Sequence, residues 1–207
     1  MQAYSTYLFD FDGTLVDSHD SLVKVFEDAY EVVGVKVPDG YCLRLMRIPL
    51  FQGYEELHAP NDEDSKKRFG DMINKSLDSP EVLKLTKPYK DTLENLYRLK
   101  KEGKVLGIVT SNNVKHVRDV LGFLNIPEDL FSVIIGNGDT KKHKPNPDPI
   151  DKALERLHIS KKGVCYVGDA LQDRDTAINA KVGAVLLDRH HEYDNEKGEI
   201  IHSLSEL

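Results

Sequence analysis

Tyr7-Leu8-Phe9-Asp10-Phe11-Asp12-Gly13-Thr14-Leu15-Val16-Asp17-Ser18 is the stretch from which the fold can be read. It begins as a strand and ends as a turn. Tyr4 to Phe9 is β-branched, aromatic and apolar and carries no helix-capping signal, which is the pattern of a buried strand. Asp10 and Asp12 follow. Residues two apart in extended chain point to the same side, so both carboxylates project from the carboxyl end of the strand. Gly13 lets the backbone turn immediately afterwards. In open α/β sheets ligands sit at that end. A strand running into an Asp-Gly turn also occurs with no site attached, so the rest of the chain decides between the two readings.

Downstream the character changes. Ser18 to Gly34 carries Leu22, Val25, Phe26, Ala29, Tyr30 and Val33 at helical spacings, with Ser18 placed to cap and Gly34 to stop. Asp39–Arg47 and Asn61–Leu77 read as two more helices. Nothing between Ser18 and about Thr86 reads as a central strand. From Lys87-Pro88-Tyr89 onward, strands and helices alternate. The strands are Val105–Val109, Phe131–Ile135, Gly163–Val167 and, as the last core strand, Ala184–Leu187. One helix is capped by Asp91, another starts after Asn112 with Val114 on its apolar side, and two more cover Pro147–His158 and Asp173–Ala180. Asp188–Glu199 reads as a solvated loop. The expected class is α/β, a Rossmann-like parallel sheet core with helices on both faces and an inserted small α-helical cap. The expected division is a core of residues 1–16 and 88–207 and a helical insert of residues 17–87.

The chain has 207 residues, 40% hydrophobic and 30% charged, enough for one domain carrying a modest insertion. No apolar run approaches the ~20 residues of a membrane span, and the N-terminus lacks a signal-peptide pattern. Cys42 and Cys165 lie far apart and read as free thiols, so a cytoplasmic location is expected. A net charge of -7 argues against nucleic acid as a partner. It leaves room for a small anionic substrate, because a metal ion and a few cations reverse the local field. Either a monomer or a homodimer is expected.

The polar residues sit at strand ends: Asp10 and Asp12, then Thr110, then Asp169, with Asp173 four residues on. Lys144 lies in a loop after another strand, followed by Pro145 and Pro147. In a parallel sheet these ends share one edge. Three carboxylates crowded together are costly, and a divalent cation with Lys144 offsets them. Oxygen ligands with an incomplete protein shell suit Mg²⁺. The expected ligands are the side chains of Asp10 and Asp169 and the backbone carbonyl of Asp12. Simpler readings stand beside these: Thr110 as a cap of the following helix, Asp173 as a helix N-cap, and Lys141, Lys142 and Lys144 as a solvated run.

Asp10-Phe11-Asp12-Gly13-Thr14-Leu15, Thr110, Lys144-Pro145-x-Pro147 and Gly168-Asp169-x-x-x-Asp173 resemble, in order, the four motifs of the haloacid dehalogenase superfamily. The helical insert resembles that of its α-capped, phosphoglycolate phosphatase-like members. The resemblance implies Asp10 as a nucleophile that forms an aspartyl-phosphate and Asp12 as acid and then base. Lys144 and the Thr110 hydroxyl would hold phosphoryl oxygens. Phe11 and Ser111 would donate through backbone N–H groups, with Asn112 beside them. Asp173 would hold Lys144 or a metal-bound water. His19 reads as a hinge residue or an exposed one. Arg47, in Met46-Arg47-Ile48-Pro49-Leu50, takes the place of a family glycine and suits an anionic leaving group; its other reading is a surface arginine. His143 and Lys181 also replace glycines, so the turn at Lys181 is expected to be strained or shifted to Gly183. The implied activity is a Mg²⁺-dependent phosphatase acting on a small phosphorylated metabolite. The alternatives are a β-phosphoglucomutase-type mutase and a nucleotide or pyrophosphate phosphohydrolase. A dehalogenase would lack Asp12, and a non-catalytic phosphate binder would not need the intact set.

Overall fold

The structure, a computed structural model, describes residues 4–193 and 195–207. The start of the expected 1–16 segment (residues 1–3), part of the stretch read for a signal peptide, and Asp194 in the expected Asp188–Glu199 loop lie outside the described residues.

Contacts divide the chain into two units. One runs up to Asp17 and resumes from Pro88 to Leu207; the other is Ser18–Lys87. Two-residue strands, β2 (Val16–Asp17) and β3 (Lys87–Pro88), mark where the chain passes from one unit to the other.

The first unit is built on a six-stranded parallel sheet. Its strands are β1 (Thr6–Phe9), β4 (Val105–Val109), β5 (Val133–Ile135), β6 (Val164–Gly168), β7 (Gly183–Leu187) and β8 (Glu199–Ile201), in the order β5-β4-β1-β6-β7-β8. Phe9 is paired with Ile108 on one side and Val167 on the other. The near-continuous apolar runs of β1, β4 and β6 are what a strand covered on both faces requires. The helices are α6 (Thr92–Lys101), α7 (Val114–Phe123), α8 (Asp148–Leu157) and α9 (Leu171–Ala180). Ile150, Ala153 and Leu154 of α8 and Ala177 and Ala180 of α9 close over Leu8, Val109 and Tyr166 of the sheet. Cys165, in β6, is buried as a free thiol.

Two expectations for this unit need correction. Ala184–Leu187 is not the last strand: β8 adds a sixth, with Leu187 opposite Ile201. Three residues at a sheet edge leave no periodicity to read. Asp91 occupies the N-cap position of α6 but makes no side-chain cap bond. Its carboxylate accepts instead from Arg189, the Ser203 hydroxyl and Leu204 N.

Lys181 shows what its missing glycine costs. It ends α9 in the left-handed region, φ 59° and ψ 43°, so the turn has not shifted to Gly183. An L-residue there carries about 1–2 kcal/mol of strain, part of which a glycine returns as extra unfolded-state entropy. Lys181→Gly is expected to stabilise the protein by roughly 0.5–1 kcal/mol. The check is the urea midpoint at unchanged slope; a lower midpoint contradicts it.

The second unit is all helical: α1 (His19–Glu31), α2 (Cys42–Leu45), α3 (Leu50–Glu56), α4 (Glu63–Leu77) and α5 (Pro80–Leu85). Its centre is aromatic. The Phe69 ring meets Tyr30 at 4.9 Å and Tyr54 at 4.8 Å, both edge-on. Asp62 caps α4 through Ser65 N, and Ser79 caps α5 through Val82 N with Pro80 in its first turn. Ser18 precedes α1 without a side-chain cap bond. The sequence reading missed α3 and α5, which bury only Gly53 with Tyr54 and only Val82 respectively; so few inward positions make no helical stripe. Cys42 is buried here as the other free thiol. Among the described residues no helix is long and apolar enough to cross a membrane.

Candidate active site

The sheet order places β1 where the chain reverses its direction of travel across the sheet. Strands β4 and β5 add on one side, and β6, β7 and β8 on the other. At such a point the loops leaving the strand ends splay apart and open a crevice. Asp10 follows β1 and Asp169 follows β6, so both stand at its mouth.

Asp10 N extends the ladder by donating to Val167 O at 2.8 Å. The chain then folds back. Leu15 N and Val16 N both donate to Phe11 O, and Gly13 N donates to Val16 O. Gly13 has φ +74°, and a Cβ on it would lie 2.4 Å from Asp169 Oδ2. Only glycine meets both demands. Thr14, fully buried, donates its hydroxyl to Asp169 Oδ1 at 3.0 Å. Gly168 is constrained in the same way, since a Cβ there would meet the Asp173 carboxyl at 2.4 Å.

Lys144 is the cation of the cluster. Its Nζ donates to Asp10 Oδ1 at 2.8 Å, to Asp173 Oδ1 at 2.7 Å and to the Tyr166 hydroxyl at 3.3 Å. The side chains of Lys144, Asp10 and Asp173 are 7%, 10% and 3% exposed, whereas Lys141 and Lys142 are exposed. Gln172 Nε2 holds the Lys144 carbonyl and Asn179 Nδ2 the Pro145 carbonyl. Asp173 also accepts from Ala170 N through its other oxygen. It thus completes the first turn of α9 and anchors Lys144 together.

Burial pushes the Asp10 carboxyl well above its ordinary range. Lys144 pulls the other way, and Asp173 and Asp169 add to the rise. Burial and the Asp173 charge lift Asp169 to about 7. For Lys144, burial favours the neutral amine, but Asp10 and Asp173 outweigh it and hold the ammonium well above its usual value. Three carboxylates around one ammonium leave the site short of positive charge.

The expected residues fall into three groups. Asp10, Lys144, Asp169 and Asp173 come together. Asp12 is half-buried beside them in sequence, and its Oδ2 accepts from Asn112 Nδ2. Thr110 extends its strand through Thr110 N to Ile135 O. Its hydroxyl accepts from Asn112 N at 3.1 Å, which leaves the proton to donate elsewhere. The side chain that caps α7 is that of Asn113, through His116 N, and not that of Thr110. Phe11 is buried and Ser111 exposed. Arg47, half-buried between α2 and α3, and His19, exposed at the start of α1, belong to the helical unit.

Three contributors were not foreseen. Tyr166 lies beneath Lys144 and donates to Val109 O at 2.8 Å. Thr14 supports Asp169. Gln172 fixes the Lys144 backbone. Their residue types carry no chemistry in isolation, and only the fold places them.

The donor set fits a hard divalent cation. Asp10, Asp169 and Asp173 each offer a carboxylate oxygen, all within 4.8 Å of one another. All-oxygen ligation with few protein ligands matches Mg²⁺.

Comparison with known proteins shows the family to which the chain belongs. Residues 7–187 match the family described as haloacid dehalogenase-like hydrolase. The "Putative pyrophosphatase PpaX" of Caldanaerobacter subterraneus subsp. tengcongensis is 32% identical over 181 residues, 87% of this chain and 80% of that protein. The phosphoglycolate phosphatase of Pasteurella multocida is 28% identical over 199 residues, 90% and 86% of the two chains. Among solved structures, the "Putative haloacid dehalogenase-like hydrolase from Bacteroides fragilis" superposes with a TM-score of 0.88 at 30% identity, covering 98% of this chain and 99% of that one.

Proposed function

The chain belongs to the haloacid dehalogenase-like hydrolase family, and from that premise we propose that it is a Mg²⁺-dependent phosphatase that hydrolyses a small phosphorylated metabolite through an aspartyl-phosphate. The observation that carries the proposal is the buried Lys144 bridging Asp10 and Asp173, with Asp169 beside them.

In the proposed first step an Asp10 oxygen attacks phosphorus and the bond to the leaving oxygen breaks. Asp12 gives that oxygen its proton. In the second step Asp12 takes a proton from water, and the hydroxide formed hydrolyses the acyl-phosphate. Lys144 and the Thr110 hydroxyl hold the phosphoryl oxygens while charge redistributes over them. Asn112 keeps Asp12 oriented through Nδ2. Asp10 and Asp169, with the Asp12 carbonyl, would hold Mg²⁺, which supplies the positive charge that Lys144 alone does not. Asp173 is the anchor of Lys144. The helical unit, residues 18–87, is the proposed cap, and Arg47 its proposed reader of an anionic leaving group.

Relatives named for pyrophosphate and for phosphoglycolate both point to small, multiply charged substrates. The deciding experiment is a phosphate-release screen over pyrophosphate, phosphoglycolate, sugar phosphates and nucleotides, with sugar-phosphate isomerisation followed in parallel. Isomerisation without phosphate release overturns the phosphatase reading.

The metal assignment predicts a pH dependence. Without metal, burial and the Asp173 charge lift the Asp169 carboxyl from its ordinary 3.8 to about 7. From about pH 4 upward the folded state therefore keeps a proton that the unfolded chain has lost, so rising pH lowers stability until about pH 7. Mg²⁺ binds the ionised form. The gain in melting temperature on adding Mg²⁺ to chelated protein is expected to grow between about pH 4 and 7 and then level off. A gain that is flat with pH, or absent, contradicts the ligand set.

A further inference from the structure

Arg189 follows β7 and has no role in the chemistry above. Its side chain is 11% exposed. The guanidinium joins two segments of the sheet unit. Nη2 donates to the backbone carbonyl of Thr14 at 3.0 Å, and Nη1 donates to Asp91 Oδ2 at 3.0 Å. Its Cζ lies 3.9 Å from the centroid of the Tyr89 ring. Asp91 is itself fixed by the Ser203 hydroxyl at 2.8 Å and Leu204 N at 2.9 Å. The arginine thus rests on a rigid mount and presents one donor to the turn after β1.

That turn is Gly13-Thr14. Thr14 spends its carbonyl on Arg189 and its hydroxyl on Asp169 Oδ1. Gly13 lies so close to Asp169 that a single added carbon would meet the carboxylate at 2.4 Å. A small movement of Thr14 therefore moves the hydrogen bond that orients Asp169, against a carboxylate with little room of its own.

We infer that Arg189 is a positioning residue for the metal site: through the Thr14 carbonyl it holds the turn whose hydroxyl fixes Asp169 for the cation. The inference rests on the proposed Mg²⁺ site. A planar fork suits the task, because it meets a carboxylate and a carbonyl at once while stacking on a ring. Lysine offers the charge without the fork. Groups that orient metal ligands typically change metal affinity 10–100-fold when removed.

The test is calorimetric titration of chelator-treated, full-length protein with Mg²⁺ alone, accompanied by circular dichroism melts. Arg189→Met is expected to weaken Mg²⁺ binding about tenfold with the spectrum unchanged, and Arg189→Lys to recover only part of it. Thr14→Val is expected to weaken Mg²⁺ comparably. The double substitution should add little, because the two residues act in series. A role in stability alone would lower the melting temperature and leave the affinity of the folded protein where it was. Affinity within twofold of the unsubstituted protein in Arg189→Met overturns the inference. If Arg189→Met does not fold, the same criterion applies to Arg189→Lys. No Mg²⁺ binding by the unsubstituted protein overturns the metal reading and this inference with it, and that outcome is visible before any variant is made.

Discussion

Asp10→Asn is expected to reduce turnover by about 10⁴-fold or more while leaving the protein folded. An amide matches the carboxylate in size and cannot form the acyl-phosphate. Stability should move the other way or not at all. Asp10 is one of three carboxylates that crowd a single ammonium, and burial keeps its carboxyl well above the ordinary range. A carboxyl with a raised folded value stabilises only at low pH and ceases to do so as pH rises through that value. Near neutral pH without metal, Asp10 is therefore a liability to folding. Lys144 loses one partner in the variant and keeps Asp173 at 2.7 Å. The melting temperature of chelated Asp10→Asn at pH 8 is expected to equal or exceed that of the unsubstituted protein. Phosphate release measured beside that melt separates a lost nucleophile from a lost fold. Turnover within tenfold of the unsubstituted rate would falsify the nucleophile assignment.

How legible such a site is depends on what kind of residue builds it. Asp10, Asp169 and Lys144 could be found in the sequence because each breaks a pattern: a charge directly after a buried apolar run, or one lysine followed by two closely spaced prolines. Strand β4 was read to the residue because Val105–Val109 is apolar throughout and ends abruptly at Thr110. Helix α9 was harder. Asp173 was read as its start, yet it is the third residue of a helix beginning at Leu171. Its carboxylate reaches back to Ala170 N as well as across to Lys144, so one side chain serves both readings that the sequence allowed.

Tyr166, Thr14 and Arg189 could not be found in the same way. Tyr166 looks like one more apolar core residue of β6, and its hydroxyl acquires meaning only when Lys144 arrives from 22 positions away in sequence. Arg189 is the second residue of what reads as a polar loop, and its partners lie 175 and 98 residues upstream. Local patterning carries no information about contacts at that separation. The edge strand β8 was lost for a related reason: its pairing to β7, and not its composition, makes it a strand.

Lys144→Met is expected to damage activity and stability together, and pH separates the two effects. The methionine matches the stem of the lysine and removes only the ammonium. Asp10 and Asp173 are then left buried with no cation between them. Removing one partner of a buried pair costs about 3–5 kcal/mol, far more than the pair contributed net, because the remaining charge is uncompensated. Lys144 itself, held above its usual value, keeps its bridges throughout the neutral range and would lose them only in strong alkali. The variant's deficit comes from the carboxylates and follows their ionisation. It should be greatest at pH 8 without metal, shrink as pH falls and Asp10, whose carboxyl burial holds well above its ordinary range, takes up a proton, and shrink also when Mg²⁺ is added. Turnover should fall by about 10³-fold or more even where Mg²⁺ restores the fold, because no other side chain in the cluster can bring positive charge to the phosphoryl group. Lys142→Met, two residues away and exposed, is the control and should stay within about 0.5 kcal/mol. Lys144→Arg keeps the charge, but its planar fork replaces a compact point donor in a pocket that leaves the side chain 7% exposed, so it should recover stability better than rate. A deficit in Lys144→Met that is the same at pH 5 and pH 8 would mean that lost packing, and not stranded carboxylates, is what the lysine guards against.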